Sequence, residues 1–121
     1  MDLPKTLPAK TAPIVRAAIK SVRDVSPEAT EIPYAMAQPR SKSMMWKLVR
    51  YAVDGENVVG VGTFSQHAAM FFYRGRELDS GDVVLQGTGK DTRFISLRTV
   101  ADASSAPVKR LLRQAFRRSG W

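Results

Sequence analysis

Apolar residues recur at helical spacing in the first quarter of the chain. From Ile14 to Val25 they return every three or four positions, with cationic residues between them. Thr11 is a residue type that caps helices, and Pro13 falls within the first turn, where a missing N–H costs nothing. This pattern predicts an N-terminal helix that buries one face.

A second helix is predicted at the other end of the chain. Ser104 or Ser105 can cap it, and Pro107 lies in its first turn. Its apolar face consists of positions i, i+3, i+4, i+7 and i+8, namely Val108, Leu111, Leu112, Ala115 and Phe116. Both ends of the chain therefore carry an amphipathic helix that needs another layer to pack against.

Between the helices the chain consists of short runs of branched and aromatic residues, a pattern typical of strands. Predicted strands cover residues 43–53, 58–64, 68–74 and 92–100, and residues 30–40 predict a short edge strand because Pro33 cannot donate to a ladder. Gly60 and Gly62 share one strand face, which leaves room for close packing, for instance by a helix. Tight turns imply antiparallel pairing.

The order helix, strands, helix predicts an α+β two-layer sandwich. Its antiparallel sheet has four to five strands, covered on one face by the N-terminal and the C-terminal helix. A length of 121 residues suits one domain, which we assign to residues 11–121, after a flexible arm over residues 1–10.

Cysteine is absent from the sequence, which excludes thiolate metal sites, iron–sulfur clusters, thiol catalysis and disulfides. No secretory signal or stretch long enough to cross a bilayer is recognisable, so we expect a cytoplasmic protein without a membrane partner.

The formal net charge is +8, from 19 basic and 11 acidic residues. Such an excess favours anionic partners. Arg113, Arg117 and Arg118 lie towards the end of the C-terminal helix, so nucleic acid is one alternative partner. Aromatic residues on the predicted strands could stack bases beside a basic helix, but such residues more often belong to the core. The pattern of a sheet-based RNA binder is absent.

The stretch GTGK, residues 87–90, invites comparison with a phosphate-binding loop. A Walker loop would place its first glycine at Val84 and a hydroxyl residue at Asp91, and it would precede a helix. We interpret the stretch instead as a turn, with Gly87 and Gly89 at positive φ. Lys90 and Arg93 remain candidates for an anion contact.

The remaining polar clusters predict little chemistry. His67 is the single histidine and could act as a general base beside Ser65, but no acid lies in sequence to orient it. Asp24, Glu28 and Glu31 form an acidic cluster that could hold a hard cation, although no complete ligand set is visible. We therefore assign no catalytic residue, no metal ligand and no cofactor.

Three segments resemble the YdhG-like family: SPEATEIPYAMAQP, VVGVGTFSQHAAMFFYRGREL and LQGTGKDTRFISLRTV. The resemblance spans about residues 12–118. It implies the two-layer α+β fold shared with YjbR-like and frataxin-like proteins. Some members are described as frataxin-like iron chaperones, and Glu28 and Glu31 match acidic positions of the family segment. Ser65, however, stands where the family usually has lysine.

From these observations we expect a non-enzymatic binding domain for a small anionic ligand or a partner protein. An iron chaperone and weak nucleic-acid binding through the C-terminal helix are the alternatives, and a homodimer is left open. The predicted binding residues are Glu31, Tyr34, His67, Lys90 and Arg93.

Overall fold

The helices and strands follow the predicted order in a computed structural model, which describes residues 3–118. Helix α1 (Ala12–Val25) is followed by strands β1 (Thr30–Pro33), β2 (Trp46–Val53), β3 (Glu56–Thr63), β4 (Ala68–Phe72) and β5 (Arg93–Leu97). A 3-10 turn covers Gly75–Glu77, and helices α2 (Val100–Ala103) and α3 (Ala106–Arg118) follow β5.

The five strands form one antiparallel sheet in the order β1-β2-β3-β4-β5. Each strand pairs with its neighbours in sequence, and tight turns join β2 to β3 and β3 to β4, whereas longer segments join β1 to β2 and β4 to β5. The β2–β3 hairpin turns at Asp54 and Gly55, whose φ angles of 51° and 80° suit the right-handed twist of paired strands. The predicted α+β architecture is confirmed.

Helices α1 and α3 pack on one face of the sheet. In the central row of that face Val49, Val61, Met70 and Ile95 lie in register, each 2% exposed or less. The buried apolar residues of the two helices confirm the predicted faces, and they are Ile14, Val15, Ala18, Ile19, Val22, Val108, Leu111, Leu112 and Ala115. Burial of this apolar area is the main force that holds the layers together.

The opposite face of the sheet carries rings where we expected a helix. An added Cβ on Gly60 would lie 2.8 Å from Cε1 of Phe71 and closer still to its Cζ, so the Phe71 ring lies over Gly60. Above Gly62 lie the side chain of Met45 and the Trp46 carbonyl. The expectation of a helix over these glycines is wrong, because both amphipathic helices are already used on the other face.

Local details at the helix ends also differ from prediction. Thr11 precedes α1 but does not cap it, since its hydroxyl donates to the Pro8 carbonyl at 3.3 Å. Ser105 does receive the Val108 N–H, at 3.4 Å. Helix α2 was not predicted; a capping box formed by Thr99 and Asp102 begins it.

Two segments outside the helices and strands pack against or connect these elements: the residues before α1 and the linker between β1 and β2. Leu3 and Leu7 pack, partly buried, against the core. The strand predicted at 30–40 ends at Pro33, and residues 34–45 form a linker to β2. None of the helices within residues 3–118 is long and apolar enough to span a bilayer.

Candidate functional site

A cavity of about 230 Å3 opens where β2 begins and β3 ends. Its walls combine apolar side chains with polar groups, which are hydroxyls, one amide and two cations. The lining residues are Pro8, Gln38, Pro39, Arg40, Ser41, Lys42, Met44, Trp46, Thr63, Phe64 and Ser65. We call this space the linker cavity, because the β1–β2 linker supplies one whole side.

The linker is fixed to the sheet by Trp46. The indole Nε1–H donates to the Met36 carbonyl at 3.0 Å, and Trp46 itself is only 6% exposed. A turn within the linker joins the Met44 N–H to the Ser41 carbonyl at 3.3 Å. These bonds set the position of the intervening cations relative to the sheet.

On the opposite side, the β3–β4 hairpin closes the cavity. Phe64 N–H donates to the His67 carbonyl at 2.8 Å, so Ser65 and Gln66 form the tip of the hairpin. The buried Thr63 hydroxyl donates to the Phe64 carbonyl at 2.7 Å. The hairpin wall is therefore held by bonds that do not use the hydroxyl of Ser65.

The linker cavity has an uncompensated positive charge. Arg40 and Lys42 are exposed and take part in none of the ion pairs found within residues 3–118. No carboxylate is among the lining residues. A cleft whose charges are all positive concentrates anions, because its partly apolar, low-dielectric walls focus the electric field.

A second group of cationic and aromatic residues lies on the helix-free face. We call it the open-face cluster, and its members are Tyr34, Lys47, Arg50, Phe71 and Tyr73. The Arg50 guanidinium lies 5.1 Å from the centre of the Tyr34 ring, and Lys47 Nζ lies 5.4 Å from that of Phe71. Both distances are within the range of cation–π attraction.

The two tyrosines of this cluster meet across the sheet. Their hydroxyls are hydrogen bonded to each other, and burial together with this bond raises the pKa of Tyr73. Tyr73 therefore stays a neutral phenol at physiological pH. Within the described chain, Lys47 and Arg50 join no ion pair, and the buried Nε of Arg50 lacks a hydrogen-bond partner.

Of the predicted binding residues, Glu31 and Tyr34 lie on opposite faces of the sheet. Glu31 accepts two N–H bonds from Arg23, each 2.9 Å, and the hydroxyl of Tyr51 at 2.8 Å. The bond from Arg23 is the main reason that the pKa of Glu31 is lowered. Glu31 thus ties α1 to the sheet, whereas Tyr34 belongs to the open-face cluster.

His67 lies beside the linker cavity, with its ring 4.8 Å from that of Phe64. Burial, and then the charges of Arg98 and Lys10, lower its pKa. No hydrogen bond joins its imidazole to Ser65 in the described residues, so the geometry for a general base is not formed.

Lys90 and Arg93 belong to the turn that leads into β5, and neither residue lines the linker cavity. Arg93 donates to the carbonyls of Gly89 and Thr92 at 2.6 and 2.8 Å, so it closes its own loop. Gly87 has a positive φ of 121°, as expected, but Gly89 does not. The GTGK turn leads into a strand, as predicted.

The acidic cluster is divided among other partners. Asp24 pairs with Lys20 at 2.8 Å, and Glu31 pairs with Arg23. Glu28 lies near Arg113 and Arg117, in a separate surface depression. Among residues 3–118, no three histidine, aspartate or glutamate side chains come together to hold a metal ion.

Several residues of the two sites escaped prediction. Arg40 and Lys42 sit in a polar stretch that carries no motif, and they reach the cavity only because the chain folds back. Arg50 did have a signal, since it is a charged residue in the middle of the apolar run WKLVRYAV. A cation at such a position needs either a partner or a function.

Comparisons of the chain with models of protein families, with curated proteins and with solved structures find no significant match. Membership of the YdhG-like family therefore stays a prediction. The function is inferred from the geometry of the two sites.

Proposed function

We propose that this protein is a non-enzymatic, cytoplasmic binding domain of the YdhG-like kind, and that it takes a small organic anion in the linker cavity. One observation carries this proposal: two cations that join no ion pair in the described chain, Arg40 and Lys42, line a partly apolar cavity without a carboxylate among its lining residues. We favour a small ligand over a protein partner because the linker cavity is concave, as small-molecule sites are.

The size of the cavity limits the ligand. A volume of about 230 Å3 is below the ~300–1,000 Å3 typical of pockets for drug-sized molecules. Trp46, Phe64 and Met44 offer contact to a flat apolar body. Arg40 can bind a carboxylate, sulfonate or phosphate through two N–H groups, and Lys42 adds a point charge.

The hydroxyls of Ser41 and Ser65 complete the donor set. Ser41 contacts the Ser43 hydroxyl at 2.8 Å, whereas Ser65 makes no side-chain bond within the described residues. A hydroxyl can donate to an anion without any change of charge. The ligand class is therefore an aromatic or branched apolar acid of metabolite size.

The test uses 2-naphthalenesulfonate as a probe anion and 2-naphthol as its uncharged analogue. Binding is measured by titration calorimetry with the wild type, with Arg40→Ala/Lys42→Ala, and with the control Lys90→Ala/Arg76→Ala. Both double variants remove two exposed cations, so they have the same net charge. The control also tests the Lys90 contact that the sequence suggested.

We expect the sulfonate to bind the wild type and the control within about twofold of each other. Loss of two charge-assisted contacts should weaken binding to Arg40→Ala/Lys42→Ala about a hundredfold or more, since each such bond contributes ~1.5–3 kcal/mol. Equal losses in both double variants would show a net-charge effect, and tighter binding of 2-naphthol than of the sulfonate would contradict the anion site.

A further inference from the structure

Aromatic rings cross the helix-free face from one side of the sheet to the other. Tyr34, Phe71 and Tyr73 form one group, with ring centres 6.3 and 5.7 Å apart. Phe94 pairs directly with Phe71 across β4 and β5, and its ring lies 6.0 Å from that of Phe64. Four of these five rings are only half-buried.

The charge of this face has a single sign. One row of residues in register contains Ile32, Arg50, Gly60, Phe71 and Phe94, and the next contains Lys47, Gly62, Ala69 and Ser96. These rows include two cations and no carboxylate. Lys10 and Arg98 add positive charge at the side of the sheet where His67 lies.

This face combines partly exposed aromatic rings with cations that have no acidic partner. Such a surface suits single-stranded nucleic acid. Every base has a flat face that can stack on an aromatic ring, and every linkage carries one negative charge. A duplex hides the base faces in its own stack and would offer this surface only phosphates.

From this juxtaposition we infer that the helix-free face binds single-stranded nucleic acid, with bases on the rings and phosphates on Lys47 and Arg50. This inference goes beyond the small-anion site and does not depend on it. It also differs from binding through the C-terminal helix, because α3 packs on the opposite face of the sheet.

The placement of Arg50 supports this surface over a purely structural cluster. Its Nε is buried and has no partner within the described chain, an arrangement that normally costs free energy. The two Nη groups of Arg50 are not buried and make no hydrogen bond within the described chain, so a phosphate oxygen can reach the guanidinium through them. Lys47, which is exposed, could contact the next phosphate along the strand.

The inference is tested by fluorescence anisotropy with fluorescein-labelled oligo-dT and oligo-U of twelve nucleotides, and with a duplex of equal length. Lys47→Ala and Arg113→Ala are the matched pair: each removes one exposed cation, from opposite faces of the molecule. Phe94→Leu removes a ring without changing charge. Melting temperatures of all variants establish that they fold.

We expect saturable binding to both single strands and at least about tenfold weaker binding to the duplex. Lys47→Ala should weaken binding about threefold or more and reduce the salt slope by about 0.7, the value for one phosphate contact on a single strand. Phe94→Leu should weaken binding about fivefold or more with an unchanged slope, because stacking carries no charge.

Three results would overturn the inference. One is the absence of saturable binding to either single strand at 50 mM salt. Another is an equal loss in Lys47→Ala and Arg113→Ala, which would indicate attraction by net charge alone. The third is a larger loss in Arg113→Ala, which would move the contact to α3.

Discussion

Replacement of Gly60 by alanine tests the ring layer on the helix-free face. The new Cβ would lie 2.8 Å from Cε1 of Phe71 and nearer to the end of the ring, far inside van der Waals contact. Phe71 cannot simply swing away, because it is 2% exposed and packs against Tyr34 and Tyr73. The ring and the tyrosine pair must shift together.

The expected loss of stability follows from the cost of adding a methyl group to a site that is already filled. Overpacking costs about 1–3 kcal/mol, and alanine returns roughly 0.4–1 kcal/mol by restricting the unfolded chain. A contact inside 3 Å places this clash in the upper part of the overpacking range, about 2–3 kcal/mol, so the net loss of stability is about 1–2.6 kcal/mol. At about 4 °C per kcal/mol for a domain of this length, Gly60→Ala should lower the melting temperature by about 4–10 °C. Differential scanning calorimetry and urea unfolding measure both quantities.

Gly89→Ala is the matched control for the same chemical change. Its Cβ would meet nothing nearer than the Thr92 carbonyl oxygen at 3.8 Å, and the residue does not have positive φ. We expect the control to be as stable as the wild type or slightly more stable. Trimming the ring in Gly60→Ala/Phe71→Leu should recover part of the loss in a double-mutant cycle. A Gly60→Ala protein as stable as the wild type would refute this packing.

Two further predictions concern the helix layer. Leu112→Ala should reduce the free energy of unfolding by about 2–5 kcal/mol, because Leu112 is fully buried. Arg113 is exposed, so Arg113→Ala should change the free energy of unfolding by less than about 0.5 kcal/mol. Urea melts that rank the two variants the other way would mean that the face of α3 is misassigned. Glu31→Gln should cost about 1–3 kcal/mol at pH 7. The pKa of Glu31 is lowered in the folded state, so the carboxylate contributes its full stabilisation above the unfolded-state pKa of about 4.3. This stabilisation is lost as the pH falls through the folded-state pKa. The difference in unfolding free energy between Glu31→Gln and the wild type should therefore shrink towards pH 3. A difference that stays constant from pH 7 to pH 3 would contradict the role of the carboxylate.

The fold was largely predictable because each long element carries its own period. The apolar spacing in α1 and α3 identified the faces that the structure buries. Helix α2 escaped because four residues are too few to show a period, although Thr99 and Asp102 are the reciprocal pair of a capping box.

The two sites were less predictable. One is formed by residues that are distant in the sequence, and the other depends on a register shift in β2. The linker cavity joins Pro8, the linker and the β3–β4 hairpin, which no local spacing relates. On the helix-free face, strict alternation would put Lys47 and Arg50 on opposite sides of β2. A register shift between Lys47 and Val49 brings both cations to the same side. Sequence alternation alone does not reveal such a bulge.

The central claim is that a small organic anion binds in the linker cavity, and chemical-shift mapping tests it most directly. Titration of the 15N-labelled protein with 2-naphthalenesulfonate should shift the Trp46 indole N–H and the amides of residues 38, 40–46 and 63–65. The amides around Lys90 and Arg93 should stay in place. Shifts confined to that β5 loop, or spread evenly over the basic surface, would contradict the claim.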